Sequence, residues 1–280
     1  MSNTNYFKLD STALLFQVLA QKPDWWKTIL NDKNLYINIR KNNRINVYYK
    51  GSSIMELHIG RGKDIKARIH RKYLGIEQAS DYITLTPEVI VQQLGGIKAA
   101  IDLRKKPKNP EGDSEKALQG LYYLSGKYID TEYEFVNSEN LITRIDFTSI
   151  NDDGMVEFVE LKRISDNRLL NDEGSTQPEE IIRQMRDYKH FIQANKVDII
   201  DYYQRVQTIL KDIHVNNPLC RIRIKGVIED ARLLFAGYVG ENVNHSARQK
   251  RVQRIKSLLD NEGIRSNIDE IQRITGLPKV

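Results

Sequence analysis

Cysteine is almost absent: Cys220 stands alone among 280 residues. No intramolecular disulfide is available, and no cluster has thiolate-zinc spacing. A reducing, cytoplasmic setting is the expectation. No apolar run approaches the roughly 18–20 residues that span a bilayer, so no membrane partner is expected. The opening stretch, MSNTNYFKLD, lacks a basic region followed by an apolar one, so no secretory signal is expected. The five histidines, at 58, 70, 190, 214 and 245, are scattered, and no two stand at metal-ligand spacing. Neither Gly-x-x-x-x-Gly-Lys nor Gly-x-Gly-x-x-Gly occurs, which leaves ATP and NAD without a phosphate loop. Gly-x-Ser-x-Gly is missing too, which argues against a serine-hydrolase triad.

What is present is charge. Lys and Arg number 43 against 37 Asp and Glu, a net +6, and charged residues make up 29% of the chain. Hydrophobic residues reach 40%, enough over this length for one large domain or two ordinary ones with a sizeable core. The cations cluster. Arg61, Lys63, Lys66, Arg68, Arg71 and Lys72 face only Asp64, residues 104–108 read RKKPK, and Arg248, Lys250, Arg251, Arg254 and Lys256 meet no acid. Each run alone is an ordinary solvated face. Three together point to a polyanionic partner whose phosphates they would neutralise, without separating DNA, RNA and an acidic membrane surface.

Apolar spacing predicts a helix over 10–30 and then short alternating runs from 34 to 74, punctuated by Asn42-Asn43, Gly51-Ser52 and Gly60 to Gly62. Together these read as a small antiparallel meander. Thr86-Pro87-Glu88 opens a helix, with Thr86 as N-cap and Pro87 in its first turn. The charged, Pro- and Gly-bearing stretch 104–114 marks a boundary. It divides a β-rich N-terminal module, residues 1–110, from a main domain, residues 111–280. Ser114 then caps a helix, and strands are expected at 128–136, 141–150 and 155–163. After a polar connection come helices over about 179–193 and within 198–214. Strands are expected at 221–228 and 232–239, and a basic helix from about 246. This order predicts an α/β core on a mixed sheet.

Residues 141–163, LITRIDFTSINDDGMVEFVELKR, carry the chemistry. Two β-like runs flank Asn-Asp-Asp-Gly, a hairpin signal. With a three-residue loop, Asp152 to Gly154, and Gly154 left-handed, Asn151 pairs with Met155. Counting inward, Asp146 stands opposite Glu160, and Lys162 shares the face of Glu160. Like charges so placed repel. A hard divalent cation would turn the pair into a site, and magnesium suits an oxygen donor set. A second reading has Arg144 opposite Lys162, with diagonal Asp146–Lys162 and Arg144–Glu160 contacts forming a solvated charge lattice. Spacing alone leaves both open.

Asp146 followed after a hairpin by Glu160-Leu161-Lys162 resembles the PD-(D/E)xK nuclease superfamily, although Ile145 replaces the Pro of that name. Ser114-Glu115-Lys116-Ala117-Leu118-Gln119 opens a helix where that superfamily often carries a metal-site Glu. Gln184 and Tyr188 match the Gln-x-x-x-Tyr of its RecB-like and Cas4-like branches. The resemblance covers about 114–193. It implies a restriction-endonuclease-like α/β core in which mixed β-sheet is flanked by helices. It also implies a bacterial Mg²⁺- or Mn²⁺-dependent nuclease acting on DNA, in foreign-DNA defence or DNA processing, and a homodimer where both strands are cut. By the same resemblance Asp146, Glu160, Glu115 and the Leu161 carbonyl would hold metal. Lys162 would hold the attacking water, and Gln184 and Tyr188 would position it or the nucleic-acid backbone.

Each of these residues has a plainer reading. Glu115 suits a helix first turn. Tyr188 falls on the stripe Ile181, Met185, Tyr188 and Ile192. Asp130 and Glu132 read as a solvated strand edge, and Cys220 as buried and inert. Tyr48, Tyr49 and Tyr73 sit near the basic runs and suggest a base-stacking surface. A non-catalytic nucleic-acid-binding or protein-interaction module on the same scaffold is the alternative function.

Overall fold

The computed structural model describes residues 7–77, 80–104, 115–136, 142–163, 177–239, 253 and 256–272. Two short helices open the chain, α1 (Leu14–Ala20) and α2 (Asp24–Asn31). The single helix expected over 10–30 is broken because Pro23 cannot continue it and Lys22 takes a left-handed φ of 51°. Five strands follow as an antiparallel meander: β1 (Leu35–Arg40), β2 (Arg44–Tyr49), β3 (Ser52–Ile59), β4 (Ile65–His70) and β5 (Tyr82–Leu85). Tight turns set its register. Lys50 and Gly51 both take positive φ between Tyr49 and Ser52, the backbone a two-residue hairpin needs.

Helices α3 (Pro87–Gln92) and α4 (Leu94–Arg104) come next. Thr86 caps with its backbone only. Ser114 and residues 105–108 of the basic run lie outside the described residues. Helix α5 (Glu115–Tyr122) leads through a π turn into β6 (Asp130–Val136), β7 (Ile142–Ile150) and β8 (Met155–Arg163). Helices α6 (Gln177–Ala194) and α7 (Lys196–Asp212) return the chain to β9 (Gly226–Val227), β10 (Arg232–Val239) and β11 (Ser266–Gln272). The second sheet has the order β11-β10-β8-β7-β6, with β9 pairing β8. β10 runs parallel to β8 and β11, while β7 is antiparallel to β6 and β8. The fold is therefore mixed α/β, with one antiparallel and one mixed sheet flanked by helices.

The basic C-terminal helix is a partial match. Arg248, Lys250, Arg251 and Arg254 lie outside the described residues, and Lys256 is exposed. The described helix ends before Gly263 (φ 67°), and Ser266–Gln272 is strand where helix was expected. A left-handed glycine stops a helix, and the free edge of β10 then offers the hydrogen bonds that local periodicity does not reveal. Of the run 221–228 only Gly226–Val227 is strand.

One continuous core joins the two sheets and the helices. It contains Trp26, Ile45 and Met55 from the first sheet region, Phe158 and Leu233 from the second, and Tyr188, Tyr202 and Tyr203 from α6 and α7. Those tyrosines, Trp26 and Phe158 are all at most 2% exposed. A smaller cluster behind the second sheet combines Leu118 and Tyr122 of α5 with Phe147, Val159 and Leu161. Tyr36 and Tyr48 join it from the first sheet, stacked on each other at 4.9 Å. Tyr48 and Tyr49 are buried, so neither offers the stacking surface expected of it.

A buried polar network also crosses between the sheets. Asp130 is 1% exposed. It accepts from Arg40, from the Thr131 amide at 2.7 Å and from the Tyr203 hydroxyl at 3.3 Å. The solvated edge expected for Asp130 is thus a buried acid, its pKa raised by burial and partly restored by Arg40.

The β7–β8 hairpin has the expected loop. Gly154 sits at φ 82°, its amide donates to the Asn151 carbonyl at 2.9 Å, and the Asn151 amide donates to the Met155 carbonyl at 3.0 Å. A Cβ at Gly154 would collide with the Arg223 carbonyl. Gly154→Ala is therefore expected to destabilise by at least about 2 kcal/mol, since left-handed backbone alone costs roughly 1–2. Gly96→Ala, in open space on α4, should be neutral or stabilise by up to about 1 kcal/mol. Urea unfolding of the two variants checks both signs.

Candidate functional site

The hairpin register aligns Phe147 with Val159, Thr148 with Phe158, Ser149 with Glu157 and Ile150 with Val156. That is the alignment the three-residue loop requires. The ladder stops one residue short of Asp146. There the Leu161 amide donates to Asp146 Oδ2 at 2.8 Å. A side-chain oxygen thus stands where a strand carbonyl would continue the pairing, and the two strands part around the carboxylate. On the far side, β6 is irregular at the same level, where Glu132 takes a φ of 53° between the Thr131–Phe147 and Tyr133–Ile145 pairs.

Glu160 and Lys162 are each 3% exposed. Side-chain alternation places both on one face of β8, and they form a buried ion pair. A charge so placed costs several kcal/mol unless donors meet it. Helix α6 supplies them. Gln184 Nε2 donates to Glu160 Oε1 at 2.8 Å, and the Tyr188 hydroxyl donates to Oε2 at 2.7 Å. Gln184 also donates to the Tyr188 oxygen, and Tyr188 reaches the Arg144 carbonyl at 2.8 Å. Gln184 and Tyr188 stand four positions apart on one helix, so both point the same way. The Tyr188 side chain is fully buried, and burial with the Glu160 charge beside it drives its pKa well up. It therefore stays a donor. Tyr188 belongs to the core stripe, and its hydroxyl lies at the rim of that stripe against Glu160 and the Arg144 carbonyl.

Helix α5 closes the other side. Gln119 Nε2 donates to the Asp146 carbonyl at 3.0 Å and lies 3.4 Å from Oδ1. Glu115, half-buried in the first turn of α5, is close enough for its charge to act on Asp146. The position of α5 is fixed by a close backbone approach. Gly120 stands so near Gly51 that a Cβ there would lie 2.9 Å from the Gly51 amide nitrogen. Asp146 has its pKa raised well above the carboxylate range, first by burial, then by Glu160; Lys162 and the Leu161 amide oppose that, and Glu115 adds to it.

Six of the expected side chains thus share one place: Asp146, Glu160, Lys162, Gln184, Tyr188 and, by its charge, Glu115. Gln119 was not anticipated; a polar residue one turn after Glu115 was its only sequence signal. The alternative lattice is not what forms. Arg144 pairs with Glu134 at 2.7 Å rather than with Glu160, and Glu160 and Lys162 are dry. Cys220 is buried, its thiol pushed up to about 11 by burial.

Among the described residues, no group of three or more His, Cys, Asp and Glu is gathered as a ready metal cage. Magnesium does not require one, since it binds through one or two carboxylates and keeps water on the rest. The donors near the fork are carboxylate and carbonyl oxygens, and a cation would relieve the repulsion that lifts the Asp146 pKa. The residues fit a hard divalent ion. Among the described residues no helix is long and apolar enough to cross a membrane. Comparison with protein-family models, with curated proteins and with solved structures returned no match.

Stability follows from the Asp146 shift. The folded protein holds that proton more tightly than the unfolded chain does. Ionising Asp146 therefore works against folding as pH rises from about 4 towards the raised folded pKa. Without metal, Asp146→Asn should melt a few degrees higher than the parent at neutral pH, where about 1 kcal/mol moves Tm by roughly 2–4 °C. The gap should close near pH 3. Scanning calorimetry across pH reads this, and a variant that melts lower throughout contradicts it.

Proposed function

We propose that this chain is a divalent-metal-dependent nuclease with a restriction-endonuclease-like core that hydrolyses phosphodiester bonds, most naturally in DNA. The observation that carries the reading is the buried Glu160–Lys162 pair beside a carboxylate whose own ionisation is resisted. A scaffold with no chemistry to perform gains nothing from burying these charges, because well-packed apolar residues serve a core as well or better. A perturbed acid gathered with a buried ion pair is a functional-site signature. The chain order adds support: Asp146, Glu160, Lys162 and the α6 pair Gln184–Tyr188 follow the pattern that the sequence resembles.

Asp146 and Glu160, with the Leu161 carbonyl and Glu115, would hold Mg²⁺ or Mn²⁺. Such an ion lowers the pKa of an attacking water and offsets charge on the phosphoryl oxygens. The protein's own groups do the positioning. Lys162 brings a buried ammonium beside Glu160, where its charge would orient the water and a non-bridging phosphate oxygen. Tyr188 and Gln184 hold both Glu160 oxygens and keep that carboxylate aimed. Gln119 and the Leu161 amide fix the Asp146 carboxylate at the fork. Burial excludes bulk water, so each of these charges acts at low dielectric.

Cleavage of labelled single- and double-stranded DNA with Mn²⁺, scored on gels, tests the proposal. Lys162→Ala should lower the rate by about 10²–10³-fold, the usual cost of losing one positioned donor. Asp146→Ala and Glu160→Ala should lose metal-dependent cleavage while near-UV circular dichroism stays native. Unchanged cleavage in Lys162→Ala removes the assigned chemistry.

A further inference from the structure

A cavity lies beside the site, between the outer face of the first sheet and β6–β7. It has a volume of about 890 Å³. Eight Lys and Arg side chains line it against three Glu, one of which, Glu56, is shared by Arg44 and Arg68. Lys41 and Arg144 pair with Glu134, Lys116 with Glu132 and Arg40 with the buried Asp130, so the wall is a mesh of ion pairs that is basic on balance. Aromatic faces stand among these cations. Tyr82 is 50% exposed, lies 4.7 Å from the Arg68 guanidinium and packs 5.1 Å from His70. Asn46 Oδ1, buried in the same wall, has no hydrogen-bond partner among the described residues. Its lining also includes Lys116, next to Glu115, and Arg144, whose carbonyl takes the Tyr188 hydroxyl.

We infer that this cleft binds single-stranded nucleic acid and leads it to the Asp146–Glu160 fork. Cations tracking phosphates and exposed aromatic rings stacking on bases are the two requirements of single-strand binding. The volume falls within the range of small-ligand pockets, roughly 300–1,000 Å³. It has room for a few unpaired nucleotides, whose bases, unlike those of a duplex, are free to stack on a protein ring. Binding itself does not depend on the nuclease reading; only the direction of the strand, towards the fork, rests on it.

Fluorescence anisotropy of labelled oligothymidylate in EDTA, with the full chain, tests the inference without cleavage. A single strand should bind at least about tenfold tighter than a duplex of equal length, and more weakly as salt rises. Tyr82→Ala should weaken it about tenfold, and so should the exposed pair Lys72→Glu with Arg104→Glu. The second variant carries the test if Tyr82→Ala fails to fold, as judged by melting. Equal duplex binding, displacement by thymidine monophosphate at matched phosphate, or unchanged binding in the folded variants overturns the inference. If these variants lose binding yet no metal supports cleavage, the nuclease reading falls and the cleft stands. If cleavage is intact and single-strand binding ignores both changes, the cleft falls and the nuclease reading stands.

Discussion

A carboxylate with 3% of its surface exposed has to be met by donors on every side, and Glu160 is met by three residues. Lys162 comes from its own strand, and Gln184 and Tyr188 come from a helix that follows it. Much of the architecture serves that requirement. The apolar stripe of α6 seats Tyr188 in the core at the depth where its hydroxyl meets Oε2. The β7–β8 register brings the Leu161 amide to Asp146. Helix α5 is held against the Lys50–Gly51 turn of the first sheet through Gly120, and so delivers Gln119 and Glu115 from the opposite side.

Two buried acids in one half of the molecule are treated differently, and the contrast separates structure from function. Asp130 is paired with Arg40, capped by the Thr131 amide and approached by Tyr203; this network ties the two sheets together. Among the described residues, Asp146 has an amide and a side-chain amide but no cation hydrogen-bonded to it, and the nearby Lys162 is engaged by Glu160. Its high pKa is the cost of that arrangement. A divalent ion would supply the missing charge, which is why the fork reads as a site and the Asp130 network as a joint.

The hairpin and its residues were legible because they depend on local rules. Asn-Asp-Asp-Gly dictates the loop, alternation puts Glu160 and Lys162 on one face, and a spacing of four puts Gln184 above Tyr188. The features that sequence reading missed depend on distant partners. Asp130 reads as a strand-edge acid until Arg40 is seen ninety residues earlier in the chain. β5 and β11 are short or polar strands stabilised by the edges they complete. Tyr48 and Tyr49 fall on opposite faces of β2 and are both buried, because each face of the first sheet meets a different core. The lattice reading failed on burial, which spacing does not report.

The account depends on the fork between β7 and β8 accepting a divalent cation. Anomalous diffraction from crystals soaked in Mn²⁺ addresses this most directly. The account predicts a peak within bonding distance of both Asp146 and Glu160, lost in Asp146→Asn. A structure at saturating Mn²⁺ with no peak there, and with Glu160 still closed on Lys162, would contradict it.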